Sequence, residues 1–428
     1  MKAVINRILV LSISLVVLVS CGLLTKGSST SVRPLRLYNP GQSGLHPDYK
    51  IYHNKTDEST LYFRVFTSEL LFNQANPETR DQSALTLEYS LYSSFSEQIL
   101  DHKDKKKFVI NKSDVADYYT ASVKIPTEDG KSYYLEIELT DQIRQTSTRN
   151  FLLLDRFNPG SQQNFLLLTF PGNNIGFEKF YYKEERFRII SNRPSGSSMR
   201  LAYYKPVTKI PDPPYMIDKL PDMPSDPSHD PDSVWIVDYD NQKLYSLEDE
   251  GIYVFYPNTE TVNGMYLTNL GDDFPQVKKT ENMLAPLQYI ASQDEYAKLI
   301  REVDIKKAID EFWLDKGGSF ATARELIRVY YNRVVFANLY FTTDRQGWLT
   351  DRGMIYLLMG PPAKVNKTET AEIWVYLSAD SKRTSNFEFR LTPHPVKAYE
   401  FELKRTENHR PIWNSAVKSW NEGRIFSY

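Results

Sequence analysis

From about residue 47 onward, apolar and polar side chains alternate along short stretches of the chain. The clearest examples, all rich in β-branched or aromatic residues, are residues 61–66, 85–91, 118–125 and 133–139. Turn-forming sequences separate these stretches, and no helical periodicity lies between them. Strands at this spacing predict a β-sandwich of immunoglobulin-like size over residues 47–157, without the Cys-Trp-Cys signature of true immunoglobulin domains.

A second group of alternating segments predicts another β-rich unit over residues 158–280. Its predicted strands are residues 165–170, 187–190, 199–204, 234–239, 243–247 and 252–256. Prolines interspersed with acidic residues separate the third strand from the fourth. Because proline lacks an amide hydrogen and fixes its own φ, this density excludes helix and central strand. Residues 206–232 are therefore predicted to form a proline-rich loop.

After residue 280 the spacing of apolar residues changes from two to about 3.6, which predicts helices. Ser292 and Glu295 have the spacing of a capping box at the start of one helix. Gly317 and Gly318 end the helical pattern that follows, and a long apolar stripe over residues 323–341 predicts another helix.

The remaining segments predict a small sheet and one more helix. Residues 354–359 are apolar throughout and precede a Gly-Pro-Pro sequence, which is typical of a buried strand and its end. The other predicted elements are strands at 372–377, 386–391 and 398–403 and a helix at 412–420. Residues 281–428 are expected to form an α+β domain, so the whole chain is predicted to be a multidomain α+β protein.

The first 21 residues carry a different pattern. Lys2 and Arg7 precede an apolar run at residues 8–19, and small or aliphatic residues then lead to Cys21. The run is too short for a membrane-spanning helix, and the segment resembles a bacterial lipoprotein signal peptide. The resemblance implies that residues 1–20 are removed and that lipid on Cys21 anchors the chain to a membrane.

The segment after the cysteine gives an expectation about location. Residues 21–46 are rich in Ser, Gly and Pro and lack periodicity, so they are predicted to be a flexible tether. No acidic residue lies between Cys21 and Asp48. In similar lipoproteins an acidic cluster beside the cysteine marks export to the cell surface, so its absence predicts the periplasmic face of the outer membrane.

Composition narrows the possible chemistry. The net charge of -2 and the pI of about 6.4 give no basic surplus, so nucleic-acid binding is not expected. Cys21 is the only cysteine, so lipidation leaves no thiol for a disulfide, a zinc site or a nucleophile. The 29 Tyr and 22 Phe residues suit cores, protein interfaces and sugar-stacking surfaces alike, which leaves both protein and glycan partners open.

Searches for established catalytic motifs find none. The chain has no HExxH, Gly-x-Ser-x-Gly, GxxxxGK[ST] or GxGxxG sequence, and no two of its six histidines are four residues apart. No catalytic residue, metal site or cofactor is predicted. The lysine-rich residues 101–107 are predicted to be a charged hairpin tip, either a solvated turn or a weak contact for anionic surfaces.

The sequence Gly347-Trp348-Leu349-Thr350-Asp351 lies between the long helix and the apolar run at 354–359, and Arg352 and Gly353 follow it. This segment resembles the GWxTD domain family, which is named for the pentapeptide. The aromatic helices before it, the Gly-Pro-Pro sequence after it and the strand at 372–376 extend the resemblance over the C-terminal third of the chain. The family has no settled biochemical activity, so the resemblance does not by itself imply a function.

The motif has two interpretations. As a structural knot, Gly347 and Gly353 would provide backbone freedom, Trp348 would pin the loop to a helix, and Thr350 and Asp351 would bond nearby amides. As a ligand site, acidic and basic side chains would converge on a cleft, with an aspartate as a base or anchor and arginines for an anionic ligand. The candidates for that site are Asp344, Arg345, Asp351 and Arg352.

These observations favour a non-enzymatic, lipid-anchored envelope protein that binds protein partners in outer-membrane assembly, secretion or motility. The membrane contact is expected through Cys21. One alternative is a carbohydrate or peptidoglycan binder, which requires exposed aromatic rings along a groove. A further alternative is an unrecognised hydrolase built on Asp344, Asp351 and Arg352.

Overall fold

The computed structural model describes residues 38–39, 44–217, 230–258, 264–368, 370–377, 383–394 and 399–426. The predicted signal peptide, Cys21, most of the tether and residues 218–229 of the proline-rich loop lie outside the described residues. Within the described ranges, no helix is both long and apolar enough to cross a membrane.

The first unit is a sandwich of two antiparallel sheets around one core, as the alternating pattern predicts. One sheet has the order β1-β2-β5 and the other β4-β3-β6-β7. Leu61 and Phe63 from the first sheet and Leu87, Leu135 and Ile137 from the second are fully buried between them. The strands are β1 (Asp48–Tyr52), β2 (Glu58–Phe66), β3 (Gln82–Ser94), β4 (Ile99–Asn111), β5 (Tyr118–Pro126), β6 (Ser132–Asp141) and β7 (Thr146–Asp155).

The prediction of a charged hairpin tip at residues 101–107 is wrong. These residues lie inside β4, an edge strand of its sheet, where Lys103 and Lys105 form ion pairs with Glu88 on the adjacent β3. Residues 101–107 lack the alternation of apolar and charged residues because an edge strand makes few contacts with the core. Lysines along an exposed edge also discourage pairing with other chains.

The second unit contains two further antiparallel sheets, with the orders β10-β8-β9 and β12-β11-β13-β14. Phe165, Phe187, Met199 and Phe255 fill the core between them. Residues 243–247, predicted as a strand, provide only an isolated bridge from Tyr245 to Phe187. The strands are β8 (Phe165–Phe170), β9 (Asn174–Ile175), β10 (Arg186–Ser191), β11 (Ser198–Tyr204), β12 (Ser233–Asp238), β13 (Gly251–Pro257) and β14 (Met265–Asn269).

A buried arginine lies at the end of the first unit, near His53, whose backbone bonds Gln163 and Asn192 of the second unit. The guanidinium of Arg156 donates to the hydroxyls of Ser59 and Thr127 at 3.3 and 3.2 Å and to the carbonyl of Lys55 at 2.7 Å. His53 bridges the Ser59 hydroxyl and the Asp155 carbonyl through its two ring nitrogens. Apart from the Nε atom of Arg156, the polar side-chain groups named here have partners, which offsets the cost of their burial at this junction.

The third unit combines six helices with one antiparallel sheet of order β15-β16-β17-β18. The predicted capping box at Ser292 and Glu295 is present, and Ser319 caps the long helix. The helices are α1 (Thr280–Leu284), α2 (Gln293–Leu299), α3 (Ile305–Gly317), α4 (Phe320–Phe341), α5 (Asp351–Met359) and α6 (Arg410–Asn421). The strands are β15 (Lys364–Lys367), β16 (Ala371–Leu377), β17 (Thr384–Pro393) and β18 (Tyr399–Leu403).

Residues 354–359 are helical, so the prediction of a buried strand is wrong. They belong to α5, in which every residue is buried, and a helix buried on all sides is as continuously apolar as a buried strand. The start signal was Thr350, whose hydroxyl accepts a hydrogen bond from the Gly353 amide at 3.0 Å. The helix ends at Gly360, where φ is 80°.

The proline-rich segment 205–217, in the described first half of the loop, has neither helix nor strand, as its prolines predict. This segment contacts the third unit as well as solvent. The Thr406 amide and His409 bond the carbonyl of Pro214, and Arg405 bonds the carbonyl of Asp212.

Candidate functional site

The GWxTD sequence forms the turn between α4 and α5, and its backbone is held by side chains of the preceding helix. Thr342 at the end of α4 accepts a hydrogen bond from the Gly347 amide at 3.0 Å. The side chain of Asn338 accepts one from the Trp348 amide at 3.3 Å. Thr350 donates back to the Gly347 carbonyl at 2.7 Å, so the turn is closed on itself as well as on the helix.

Both glycines of this segment are required by close backbone contact. A Cβ atom on Gly347 would lie 1.9 Å from the carbonyl oxygen of Ala337, and one on Gly353 would lie 1.8 Å from the carbonyl oxygen of Gly347. Their φ angles are not in the left-handed region. Missing volume, rather than the conformational freedom that the sequence suggested, is the reason for glycine at both positions.

Trp348 anchors the turn in the core. Its side chain is 5% exposed, and its indole N–H donates to Gln346 at 2.6 Å. The hydroxyl of Tyr289 donates to the Trp348 carbonyl at 2.9 Å, and the two rings meet edge to face. The structural interpretation of the tryptophan thus accounts for both its ring and its polar atoms.

Asp351 bonds a distant strand rather than its own loop. One carboxylate oxygen accepts from the Leu403 amide at 2.7 Å, and the other accepts from the Arg405 guanidinium at 2.6 Å. The residue is 9% exposed. Burial raises the pKa of Asp351, and the charge of Arg405 opposes this shift. The carboxylate therefore ties the start of α5 to the end of β18.

Asp344 and Arg345 form a second group. The Arg345 guanidinium donates to Asp344 at 2.9 Å, and the Thr343 hydroxyl donates to the same carboxylate at 3.0 Å. His394 lies 3.8 Å from it. The aspartate is 3% exposed, so its oxygens face partners within the protein.

Arg352 belongs to a third group, centred on Glu372 of β16. Its guanidinium lies 3.6 Å from the Glu372 carboxylate and stacks over the rings of Phe341 and Phe401. Lys367 lies 2.8 Å from the same carboxylate. Burial alone would raise the pKa of Glu372, but these cations and the indole N–H of Trp374 lower it to about 2.

Each of the four predicted ligand residues has a charged partner within the protein. Asp344 and Arg345 pair with each other, whereas Asp351 and Arg352 find partners far along the chain. Among the described residues, no group of three or more His, Cys, Asp or Glu side chains is placed to hold a metal ion. Paired, buried carboxylates of this kind can fix elements in position, but they offer few free lone pairs to a substrate.

Sequence reasoning missed the residues that complete these groups. Arg405 and Glu372 lie 54 and 20 residues after the aspartate and arginine that they bond. The one available signal was Glu372 itself, an acidic residue at the start of an otherwise apolar strand. Cys21, the predicted lipid attachment residue, lies outside the described residues.

Comparison with protein families identifies the C-terminal unit. Residues 251–422 match the model of the GWxTD domain family, and the match begins in β13 of the second unit. The C-terminal part of this chain is a GWxTD domain, as the pentapeptide and its surroundings predict.

Other comparisons add little. A search of curated proteins gives no match. Among solved structures, one is described as "putative beta-galactosidase from bacteroides fragilis", with 12% identity and a TM-score of 0.17. The similarity covers 35% of this chain and 19% of that chain, so it spans about a fifth of the other protein and defines no common fold.

Proposed function

We propose that this protein is a non-enzymatic, lipid-anchored envelope protein that acts as a scaffold or partner-binding component of an outer-membrane assembly, secretion or motility system. Lipid on Cys21 holds it at the membrane, on the periplasmic face. The β units and the GWxTD domain then form a rigid body that presents surfaces to protein partners.

The observation that carries the non-enzymatic part is the bonding of Asp351. A general base needs a lone pair that can reach a substrate proton at hydrogen-bond distance. Both oxygens of this carboxylate already accept bonds from Leu403 or Arg405, and the group is buried. Asp351, the candidate base of the motif, therefore stabilises the fold.

A surface suited to a partner lies on β12. This strand is an edge of its sheet within the described residues, and Val234, Trp235 and Ile236 on it are 44%, 47% and 68% exposed. By contrast, β4, an edge strand of the first unit, carries lysines. An edge strand whose middle residues are apolar and exposed favours pairing with another chain.

In-cell photo-crosslinking tests this surface. A photoreactive residue replaces Ile236 in the lipid-anchored chain, and a matched one replaces Lys107 on the β4 edge. We expect the first to capture defined envelope proteins, identified by mass spectrometry, and the second to capture few. Equal, sparse capture at both positions would count against partner binding through β12.

Fatty-acid labelling tests the anchor. Wild-type cells fed an alkyne fatty acid should yield labelled protein in the outer-membrane fraction, because a lipidated cysteine binds bilayers stably. The Cys21→Ala chain should be unlabelled, whereas Ser28→Ala should behave like wild type. Labelling of Cys21→Ala would rule out this residue as the attachment point.

Exposed aromatic rings favour carbohydrate binding as the alternative. Trp235 is 47% and Phe157 is 72% exposed, but they lie on different units of the chain. Binding to purified peptidoglycan that is lost in Trp235→Ala would support it. The hydrolase interpretation predicts that Asp351→Asn abolishes cellular function at temperatures where the variant is folded.

A further inference from the structure

Tyr38, in the segment that follows Cys21, contacts the GWxTD domain. Its ring lies 4.8 Å from that of Phe341, 5.3 Å from that of Trp374 and 5.5 Å from that of Tyr340, measured between centroids. Tilted and edge-to-face rings at these distances attract one another beyond the burial of their surface. Tyr340, Phe341, Trp374 and Glu372 are called the tyrosine slot below.

The polar end of Tyr38 is recognised as well. Its hydroxyl donates to the two oxygens of Glu372 at 3.0 and 3.1 Å. Glu372 is 1% exposed and ionised, held by Lys367 and Arg352. Burial and this negative charge raise the pKa of Tyr38, so the phenol keeps its proton and remains a donor. A hydrogen bond to a buried, charged acceptor is stronger than one between neutral groups.

The backbone of Tyr38 indicates that these contacts determine its position. Its φ is 65°, in the left-handed region that non-glycine residues rarely adopt. A residue keeps such a conformation only when surrounding contacts outweigh its cost. The ring contacts and the bond to Glu372 are contacts that can offset this cost.

The first unit begins only a few residues after Tyr38 in the sequence. Leu45, seven positions after Tyr38, is buried in the sandwich core. Seven residues span at most about 25 Å. Phe151 of β7 packs against the core of the GWxTD domain, so the two units also touch outside this segment.

We propose that the tyrosine slot is a clasp for the chain's own N-terminal segment, with Tyr38 as its occupant. Bound in this way, the segment between Cys21 and Tyr38 has 16 residues, with a reach of at most about 60 Å, instead of the 23 residues between Cys21 and Leu45. The clasp makes the GWxTD domain the attachment point of the tether. The clasp does not depend on lipidation; only its effect on distance from the membrane rests on the proposed function.

Limited trypsinolysis of the full chain in detergent tests the clasp. The Arg36–Leu37 bond lies two residues before Tyr38, and Lys26–Gly27 provides an internal control further upstream. We expect Tyr38→Ala to raise the cleavage rate at Arg36 at least tenfold and Tyr38→Phe to raise it less, with no change at Lys26. Equal rates at Arg36 in all three chains would overturn the proposal.

A peptide added in trans tests the slot directly. A labelled peptide of residues 33–43 should bind the Tyr38→Ala chain and bind the wild-type chain at least tenfold more weakly, because wild type fills its own slot. The same peptide with alanine in place of tyrosine should not bind. Equal affinity for the two chains, or no binding to either, would contradict the clasp.

Fatty-acid labelling separates this proposal from the anchor. The Tyr38→Ala chain should be labelled on Cys21 as fully as wild type. If the wild-type chain were not labelled, the anchor would be wrong and the clasp would be unaffected. If Tyr38→Ala left cleavage at Arg36 unchanged, the clasp would be wrong and the anchor would be unaffected.

Discussion

The first sandwich and the GWxTD domain are both well packed, but their buried carboxylates are bonded differently. In the sandwich, Asp141 and Asp155 accept bonds from amides of the turns that directly follow them. The GWxTD domain buries Asp344, Asp351 and Glu372 together with cations beside its aromatic core.

The difference lies in the number of bonds that join each pair of elements. Most contacts of the sandwich join strands that are neighbours in a sheet, and each pair of strands shares many similar contacts. The loss of one contact therefore removes only a small part of what holds the pair together. In the GWxTD domain, single bonds join elements that are far apart, such as Asp351 to Leu403 and Tyr289 to Trp348. The domain should therefore be more sensitive to single substitutions in its motif than the sandwich is to surface changes. The predictions below test this contrast, and tryptophan fluorescence is suited to them because five of the six Trp residues lie after residue 281.

Gly353→Ala should have the largest effect. Its Cβ would lie 1.8 Å from the Gly347 carbonyl oxygen, so the motif turn must open. We expect a loss of more than about 4 kcal/mol in the free energy of unfolding of the GWxTD domain, measured by urea unfolding with tryptophan fluorescence.

Gly44→Ala is the matched control, since a Cβ there meets its nearest atom at 3.5 Å, an ordinary contact. It should change the free energy of unfolding by less than about 0.5 kcal/mol. Equal stability of Gly353→Ala and wild type would remove the steric explanation of the motif.

The pH dependence of the free energy of unfolding should differ between the two regions, because each region buries a different titratable group. The pKa of Glu372 is about 2, below its ordinary 4.5, so its contribution is present above pH 4.5 and is lost as the pH falls towards 2. Burial lowers the pKa of His53 to about 4 from 6.5, so the sandwich junction loses its contribution as the pH falls from 6.5 to 4. Each contribution is on the order of 3 kcal/mol.

Unfolding curves at several pH values check both windows. The stability difference between wild type and Glu372→Gln should shrink below pH 4.5, and the difference between wild type and His53→Gln should shrink already below pH 6.5. A single window shared by both variants would contradict the separation of the two regions.

Asp351→Asn should destabilise the GWxTD domain by about 2 to 3 kcal/mol, because the substitution weakens the charged bonds to Leu403 and Arg405. Thermal unfolding measures the effect. As the control, Lys306→Ala removes an exposed ion pair with Asp310 and should leave the unfolding temperature almost unchanged. If the two variants were equally stable, Asp351 would not be the tie between α5 and β18.

Ser292→Ala should have the smallest effect, about 1 kcal/mol. The serine hydroxyl accepts a bond from the Glu295 amide at the start of α2, and its loss leaves one orphan amide at an exposed helix end. Hydrogen exchange should increase locally in α2. An increase that spreads through the domain would show that the cap supports more than its own helix.

Alternation and helical spacing predicted most elements because both depend on which residues face a core. The strands of the sandwich, the capping box at Ser292 and the long helix α4 follow from such local patterns. The apolar run at 354–359 was misassigned, since a fully buried helix and a buried strand have the same composition.

The sequence by itself determined the family of the C-terminal domain, the order of the units and the expectation of a lipid anchor at Cys21. Only the tertiary structure decided what the motif does: it placed Arg405 on Asp351, Glu372 beside Arg352, and Tyr38 in the tyrosine slot. The physical reason is that hydropathy patterns record the burial of each residue, whereas the partner of a buried charge is set by how distant elements pack together.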